Sequence, residues 1–223
     1  MSTSRIFHSY HLDISRSEED RICYIILPEK LKESEKPWLD GIALRCRANM
    51  VVISGLDWNR QLTPWKVPPL KGCSFGGEAP AFLESLCSDL FFNVESTLML
   101  RNPRRYLCGV SLSGLFGVWA AARKAVFDGI GSVSGSLWYE GFVDWLASCE
   151  SVDCCFFYFS LGEKEKDGRN ARLAGVEDRT REVMALLRSR GKTVQLEFNE
   201  GNHFGPLIPR MEKAIVAVCS SDL

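Results

Sequence analysis

Short apolar runs rich in β-branched and aromatic residues alternate along this chain with longer stretches whose apolar residues recur every three or four positions. The runs at 10–14, 21–27, 50–54, 105–110, 129–134, 154–161 and 193–199 read as strands, most of them apolar on both faces. The stretches at 79–92, 112–125, 139–148, 176–190 and 207–219 read as helices. A strand with no polar face must be covered on both sides. The alternation therefore predicts an α/β fold, with a mostly parallel central sheet and helices on both faces. Right-handed crossovers would put the carboxyl ends of successive strands along one edge, where open α/β sheets bind their ligands. The 223 residues are expected to form a single domain over 1–223.

One stretch falls outside the alternation. LDWNRQLTPWKVPPLKGCSFGG at 56–77 holds three prolines, three glycines and two tryptophans, too irregular for a helix or a strand. Its length and aromatic content predict an ordered loop or lid over a pocket.

Charge and composition exclude several classes of function. The 27 Lys and Arg nearly cancel the 28 Asp and Glu, and no basic run offers a footprint for nucleic acid. No segment reaches the roughly eighteen consecutive apolar residues of a membrane span. The opening MSTSRIFHSYHLDISRSEED lacks the apolar core of a signal peptide. The nine cysteines are odd in number, irregular in spacing and without a CxxC pair, so they read as reduced, small apolar residues of a cytoplasmic protein. No cluster of His, Cys and carboxylates has metal-ligand spacing, and neither a metal nor another cofactor is expected.

Chemistry concentrates at YLCGVSLSGLFGVWAA, residues 106–121, an apolar strand, a Gly-x-Ser turn and an apolar helix. A nucleophile elbow needs this context, because the serine sits on a sharp, strained turn and small neighbours must let strand and helix approach. Gly109 is the first small position; the second is Ser113 where the usual pattern has glycine, with Gly114 next. Alone, the turn could equally be a helix cap at Ser111.

Chain order favours the nucleophile. A serine of this kind needs a later histidine with a carboxylate between them, and of His8, His11 and His203 only His203 follows Ser111. It lies in NEGNHFGP, a glycine-bounded loop directly after the last expected strand. The strand before it ends in SLGEKEKDG, which offers Glu163, Glu165 and Asp167 to orient the imidazole. The spacing from Gly162 selects Glu165. An oxyanion hole needs two N–H donors; Leu112, after the nucleophile, supplies one, and Glu29, after the strand at 21–27, is expected to supply the other.

With these residues in view, the chain resembles the esterase branch of the α/β-hydrolases that includes the enterochelin (siderophore) esterases and the esterase-D-like enzymes. The resemblance runs from about residue 21 to the C-terminus. It rests on VISGLDWN at 52–59, TPW at 63–65, GG at 76–77, the elbow at Ser111, SGSLW at 134–138, SLGE at 160–163 and GNHF at 201–204. It implies an α/β-hydrolase fold, Ser111 as nucleophile, His203 as base, and a pocket lined by the 55–65 loop and the 134–138 segment. Trp58, Trp65 and Trp138 are then expected to line that pocket, while Arg60 either holds a substrate carboxylate or ties the loop down. The N-terminal half is shorter than in siderophore esterases, which argues against a large trilactone substrate.

The expected function is hydrolysis of a small-molecule ester through a Ser111 acyl-enzyme. An acyltransferase on the same site, or an inactive binding protein of the same fold, are the alternatives. A homo-oligomer is left open.

Overall fold

In the computed structural model, which describes residues 1–70 and 72–221, the chain divides into two compact units, Met1–Leu107 and Cys108–Leu223. Lys71, inside the loop expected over 56–77, and Asp222 and Leu223, at the end of the domain expected over 1–223, lie outside the described residues. The order of elements is that of an α/β fold, and the first unit departs furthest from the sequence expectation.

That unit opens with strand β1 (Thr3–Phe7), which turns at His8 and Ser9 into antiparallel β2 (Tyr10–Ser15). Next comes β3 (Arg21–Ile26), and helix α1 (Lys36–Cys46) then leads to β4 (Asn49–Ser54). The strands are ordered β1-β2-β4-β3, with β4 antiparallel to β2 and parallel to β3. All six residues of β4 are buried, as its NMVVIS sequence requires. Leu12 pairs with Ile53 and Ile14 with Val51 on one side of it, and Ile25 with Val52 on the other.

Neither β1 nor α1 was expected. β1 is an edge strand with a mostly exposed TSRIF sequence, so it carries no apolar run. α1 buries Leu39, Ile42, Ala43 and Cys46, a helical spacing that is legible once looked for. Its start is marked by Pro37 in the first turn. Its end is hidden, because the left-handed residue that stops it is Arg47 (φ 49°) and not glycine.

The 56–77 stretch contains a short helix, α2 (Trp58–Gln61). Its two ends are held together: Gly76 N–H donates to Asn59 O (3.0 Å), Glu78 N–H to Arg60 O (2.8 Å) and Gly77 N–H to Thr63 Oγ1 (3.0 Å). The helix expected over 79–92 is α3 (Ala79–Ser85), a π-helical turn over 86–90, and α4 (Phe91–Leu98). β5 (Arg104–Val110) carries the chain into the second unit.

There strands and helices alternate apart from one short extra helix, α7, that the sequence pattern did not show: α5 (Leu112–Ala121), β6 (Gly129–Val133), α6 (Phe142–Ser148), β7 (Phe156–Gly162), α7 (Ala171–Ala174), α8 (Val176–Ser189), β8 (Thr193–Asn199) and α9 (Leu207–Ser220). β6, β7 and β8 are parallel neighbours in that order. α5 packs on β6, α9 on β6 and β7, and α8 on β8. Every residue of α5 is buried, so it needs no polar face. Among the described residues no helix is long and apolar enough to cross a membrane.

The core of the first unit encloses a charged group. Glu95 of α4 is buried, its Oε1 accepting from Tyr24 Oη (3.0 Å) and Arg105 Nε (2.6 Å) and its Oε2 from Arg105 Nη2 (2.7 Å). Burial, then the Glu95 charge, push the Tyr24 hydroxyl well above its ordinary value, so it stays a donor. Glu95→Ala removes the acceptor of three hydrogen bonds and is expected to cost about 3 kcal/mol, while Glu95→Gln costs less. Urea denaturation of the two variants against wild type measures both.

Candidate active site

The carboxyl ends of the strands in the second unit are fastened to one another just past their last residues. Ser111 N–H donates to Val133 O (3.0 Å), Ser134 N–H to Ser160 O (2.7 Å) and Glu163 N–H to Asn199 O (2.9 Å). The loops that leave β5, β6, β7 and β8 therefore start in fixed register along one edge.

Ser111 sits between β5 and α5 with φ 55° and ψ −119°, a backbone that a residue with a Cβ rarely adopts. A Cβ on Gly109 would lie 2.5 Å from the backbone of Ser113, so only glycine lets strand and helix come this close. Ser113 does more than fit. Its buried Oγ accepts from Val110 N–H (2.7 Å) and donates to Val110 O (2.8 Å), serving both backbone groups of the residue before Ser111. A glycine there would leave both bonds unmade.

His203 lies in the loop after β8, with Nε2 3.2 Å from Ser111 Oγ and Nδ1 3.0 Å from Glu165 Oε2. The other carboxylate oxygen, Oε1, accepts from Ser134 Oγ (2.6 Å) and from Gly162 N–H (2.6 Å). Burial alone would push the Glu165 carboxyl up, but hydrogen bonds from His203, Ser134 and Gly162 outweigh it and hold the group below its ordinary value. A charged Glu165 at Nδ1 favours the tautomer with the proton there, which turns the Nε2 lone pair toward Ser111. Glu163 and Asp167, the other two carboxylates offered by the sequence, are exposed.

The histidine loop rests on a buried cation. Arg210 of α9 is 4% exposed and donates through Nη1 to Asn202 O (2.9 Å) and through Nη2 to Glu200 O (2.6 Å), on either side of Gly201. The sequence reading missed it, although Arg210 occupies the apolar stripe of α9 beside Met211, Ala214, Ile215 and Val218, where a charged residue asks for a reason. Phe204, next to the imidazole, is 91% exposed and stands edge-on to the His203 ring at 5.3 Å.

The SGSLW segment was expected to line the pocket, but the individual contacts of its two serines were not foreseen. Ser134 is the buried donor to Glu165. Ser136 donates its N–H to Ser111 O (2.9 Å) and places its Oγ 3.3 Å from Ser111 Oγ. The available signal was hydroxyls directly after an apolar strand, at the edge where the other loops converge.

Leu112 is the first residue of α5, so its N–H has no carbonyl one turn back to bond. Glu29 is exposed in the turn after β3 of the first unit. In that unit Trp58 opens α2 and is half-buried, as is Trp65. Arg60 is engaged with acids, its Nε 3.0 Å from Glu78 Oε1 and its Nη1 3.6 Å from Asp57 Oδ2, which is the loop-tying alternative. Trp138, in the second unit, lies under the Arg172 guanidinium at 5.1 Å and lines a cleft of 320 Å³ together with Phe142 and Arg179. Among the described residues no group of three His, Cys or carboxylates could hold a metal ion.

No family model matches the chain. The Bacillus subtilis protein YbbA is 26% identical over 179 residues, 76% of this chain and 72% of its own length. Solved structures are similar over nearly the whole chain. The siderophore hydrolase EstB of Aspergillus nidulans has 17% identity and a TM-score of 0.73, over 97% of this chain and 93% of its own. An IroE-like serine hydrolase from Shewanella oneidensis has 15% identity and a TM-score of 0.76, over 97% and 79%. The enterobactin and salmochelin hydrolase IroE has 16% identity and a TM-score of 0.70, over 99% and 94%. At these identities the likeness is one of architecture, and the chain has the α/β-hydrolase fold that these hydrolases share.

Proposed function

We propose that the protein is a serine hydrolase that cleaves a carboxylic ester through an acyl-enzyme on Ser111. The observation that carries the reading is the unbroken hydrogen-bonded chain from Ser111 Oγ through both nitrogens of His203 to a buried, charged Glu165. The fold shared with siderophore hydrolases and an IroE-like serine hydrolase supports it.

Ser111 Oγ attacks the ester carbonyl carbon while its proton passes to His203 Nε2, and Glu165 stabilises the imidazolium through the Nδ1 hydrogen bond. The carbonyl oxygen becomes an oxyanion that the N–H of Leu112 meets at the positive end of α5. Collapse of the tetrahedral intermediate breaks the bond to the leaving alkoxide, which takes the proton from Nε2. Water, giving its proton to the same nitrogen, attacks the acyl carbon next, and Ser111 Oγ leaves with that proton. The cycle closes without a cofactor. A cytoplasmic setting belongs to the same reading, supported by nine cysteines at spacings that suggest no disulfide framework.

With p-nitrophenyl acetate as substrate, Ser111→Ala is expected to reduce turnover to a small residual rate, about 10⁶-fold below wild type, and to abolish labelling by a fluorophosphonate probe while the fold remains. Glu165→Gln is expected to lower kcat by about 10⁴-fold, the order seen when a triad imidazole is held in the wrong tautomer. Glu163→Gln and Asp167→Asn should stay within about tenfold of wild type. Wild-type rates in Ser111→Ala, or a different ranking of the three carboxylates, overturns the reading.

The depressed Glu165 carboxyl also sets a pH dependence. A carboxyl lowered by folding contributes stability that is fully present above the ordinary value of about 4.3 and is lost as pH falls through the folded value. The stability difference between wild type and Glu165→Gln should thus change in favour of the variant as pH falls below about 4. Urea midpoints measured across that range test it.

A further inference from the structure

The turn after β6 touches both ends of the Ser111–His203–Glu165 chain. Ser134 Oγ donates to Glu165 Oε1 at 2.6 Å, and two residues later Ser136 Oγ lies 3.3 Å from Ser111 Oγ. Between them Gly135 leaves room for the Ser132 hydroxyl, since a Cβ there would fall 2.1 Å from Ser132 Oγ and oblige it to rotate away. Ser134 has a positive φ of 47°, which a serine adopts only when its surroundings hold it there. The far side is fixed as well: Ser136 O accepts from Tyr139 N–H at 3.0 Å, and Ser136 itself is 1% exposed. Backbone bonds on both sides thus hold Ser136 beside the nucleophile, and its hydroxyl lies within reach of it.

The direction of that hydrogen bond follows from counting protons. Ser111 has one hydroxyl proton, and the Nε2 lone pair of His203 stands 3.2 Å away to receive it. With that proton committed, Ser111 Oγ can only accept from Ser136, so Ser136 is the donor.

We propose that Ser136 is a catalytic residue, a hydroxyl donor that stabilises charge on Ser111 Oγ, on the reading of Ser111 as nucleophile. When the Ser111 proton moves to His203, Oγ gains negative character before its bond to the acyl carbon is complete, and the Ser136 hydrogen bond strengthens. In deacylation the acyl carbon–Oγ bond breaks, its electron pair stays on Oγ, and the proton returns from Nε2. Ser136 assists that departure in the same way. It keeps its own proton throughout and forms no covalent bond. The tie of the turn to the elbow is a separate interaction, because the Ser136 N–H to Ser111 O bond (2.9 Å) needs no hydroxyl.

Ser136→Ala keeps the backbone bond and removes the hydroxyl, leaving a gap of one oxygen atom. For p-nitrophenyl acetate it is expected to lower kcat by about 10- to 100-fold, the worth of a hydrogen bond to a charged group, with KM within about threefold. Fluorophosphonate labelling of Ser111 should slow by a similar factor. Ser136→Cys, close in size and a weaker donor, should fall between wild type and Ala; it carries the same test if the Ala variant fails to fold. In a Ser111→Ala background, adding Ser136→Ala should change the residual rate by less than about twofold, because the donor has lost its acceptor. A purely structural role predicts instead an equal loss in both backgrounds and overturns the proposal. So does a Ser136→Ala or Ser136→Cys enzyme as fast as wild type, or faster. If Ser111→Ala is itself fully active and Ser111 is not labelled, the hydrolase reading fails first and this one with it; an inactive Ser111→Ala beside a fully active Ser136→Ala rejects this proposal alone.

Discussion

Ser111 is held with a positive φ, which costs a residue with a side chain on the order of 1–3 kcal/mol. Such a conformation persists only where neighbouring bonds outnumber it. Here the Ser111 N–H is bound to Val133, its carbonyl receives the N–H groups of Leu115 and Ser136, and Ser113 brackets the preceding residue. The strained turn lifts the hydroxyl clear of the strand end toward the imidazole. Gly109 and Ser113 on one side and the 134–136 turn on the other are what the elbow requires in order to exist.

The second requirement is electrostatic. A carboxylate taken out of water is costly unless its oxygens are bonded, and Glu165 meets three donors, His203, Ser134 and Gly162. That arrangement does two jobs, keeping the group ionised and fixing which oxygen faces the ring. Arg210 solves the same problem with opposite sign. Its buried guanidinium is satisfied by main-chain carbonyls of the histidine loop, so the cation stabilises a loop that has no regular secondary structure of its own.

Much of the second unit was legible in the sequence, because β6 and β7 are apolar on both faces, β8 alternates apolar with polar residues, and α8 and α9 carry apolar stripes at helical spacing. The 193–199 strand is reproduced residue for residue, and Glu165, singled out by its spacing from Gly162, is the carboxylate beside His203. In the first unit the signals were weaker for physical reasons. β1 is an exposed edge, and α1 ends on a left-handed arginine. The supporting residues of the site escaped for another reason. Ser134 and Ser136 act through hydrogen bonds between segments distant in sequence, Arg210 reaches back across a loop to main-chain carbonyls, and no local pattern encodes which group a hydroxyl or guanidinium will reach.

Because Arg210 projects from α9 into the histidine loop, the packing of that helix on β6 and β7 is also the mechanical reference for the imidazole. A helix rises about 1.5 Å per residue, so a slip of α9 by a single position would move the guanidinium by half the length of the His203–Ser111 contact. The apolar face of α9 thus works as a gauge block. The side chains Met211, Ala214, Ile215 and Val218 fix where the Arg210 guanidinium meets the loop that carries His203.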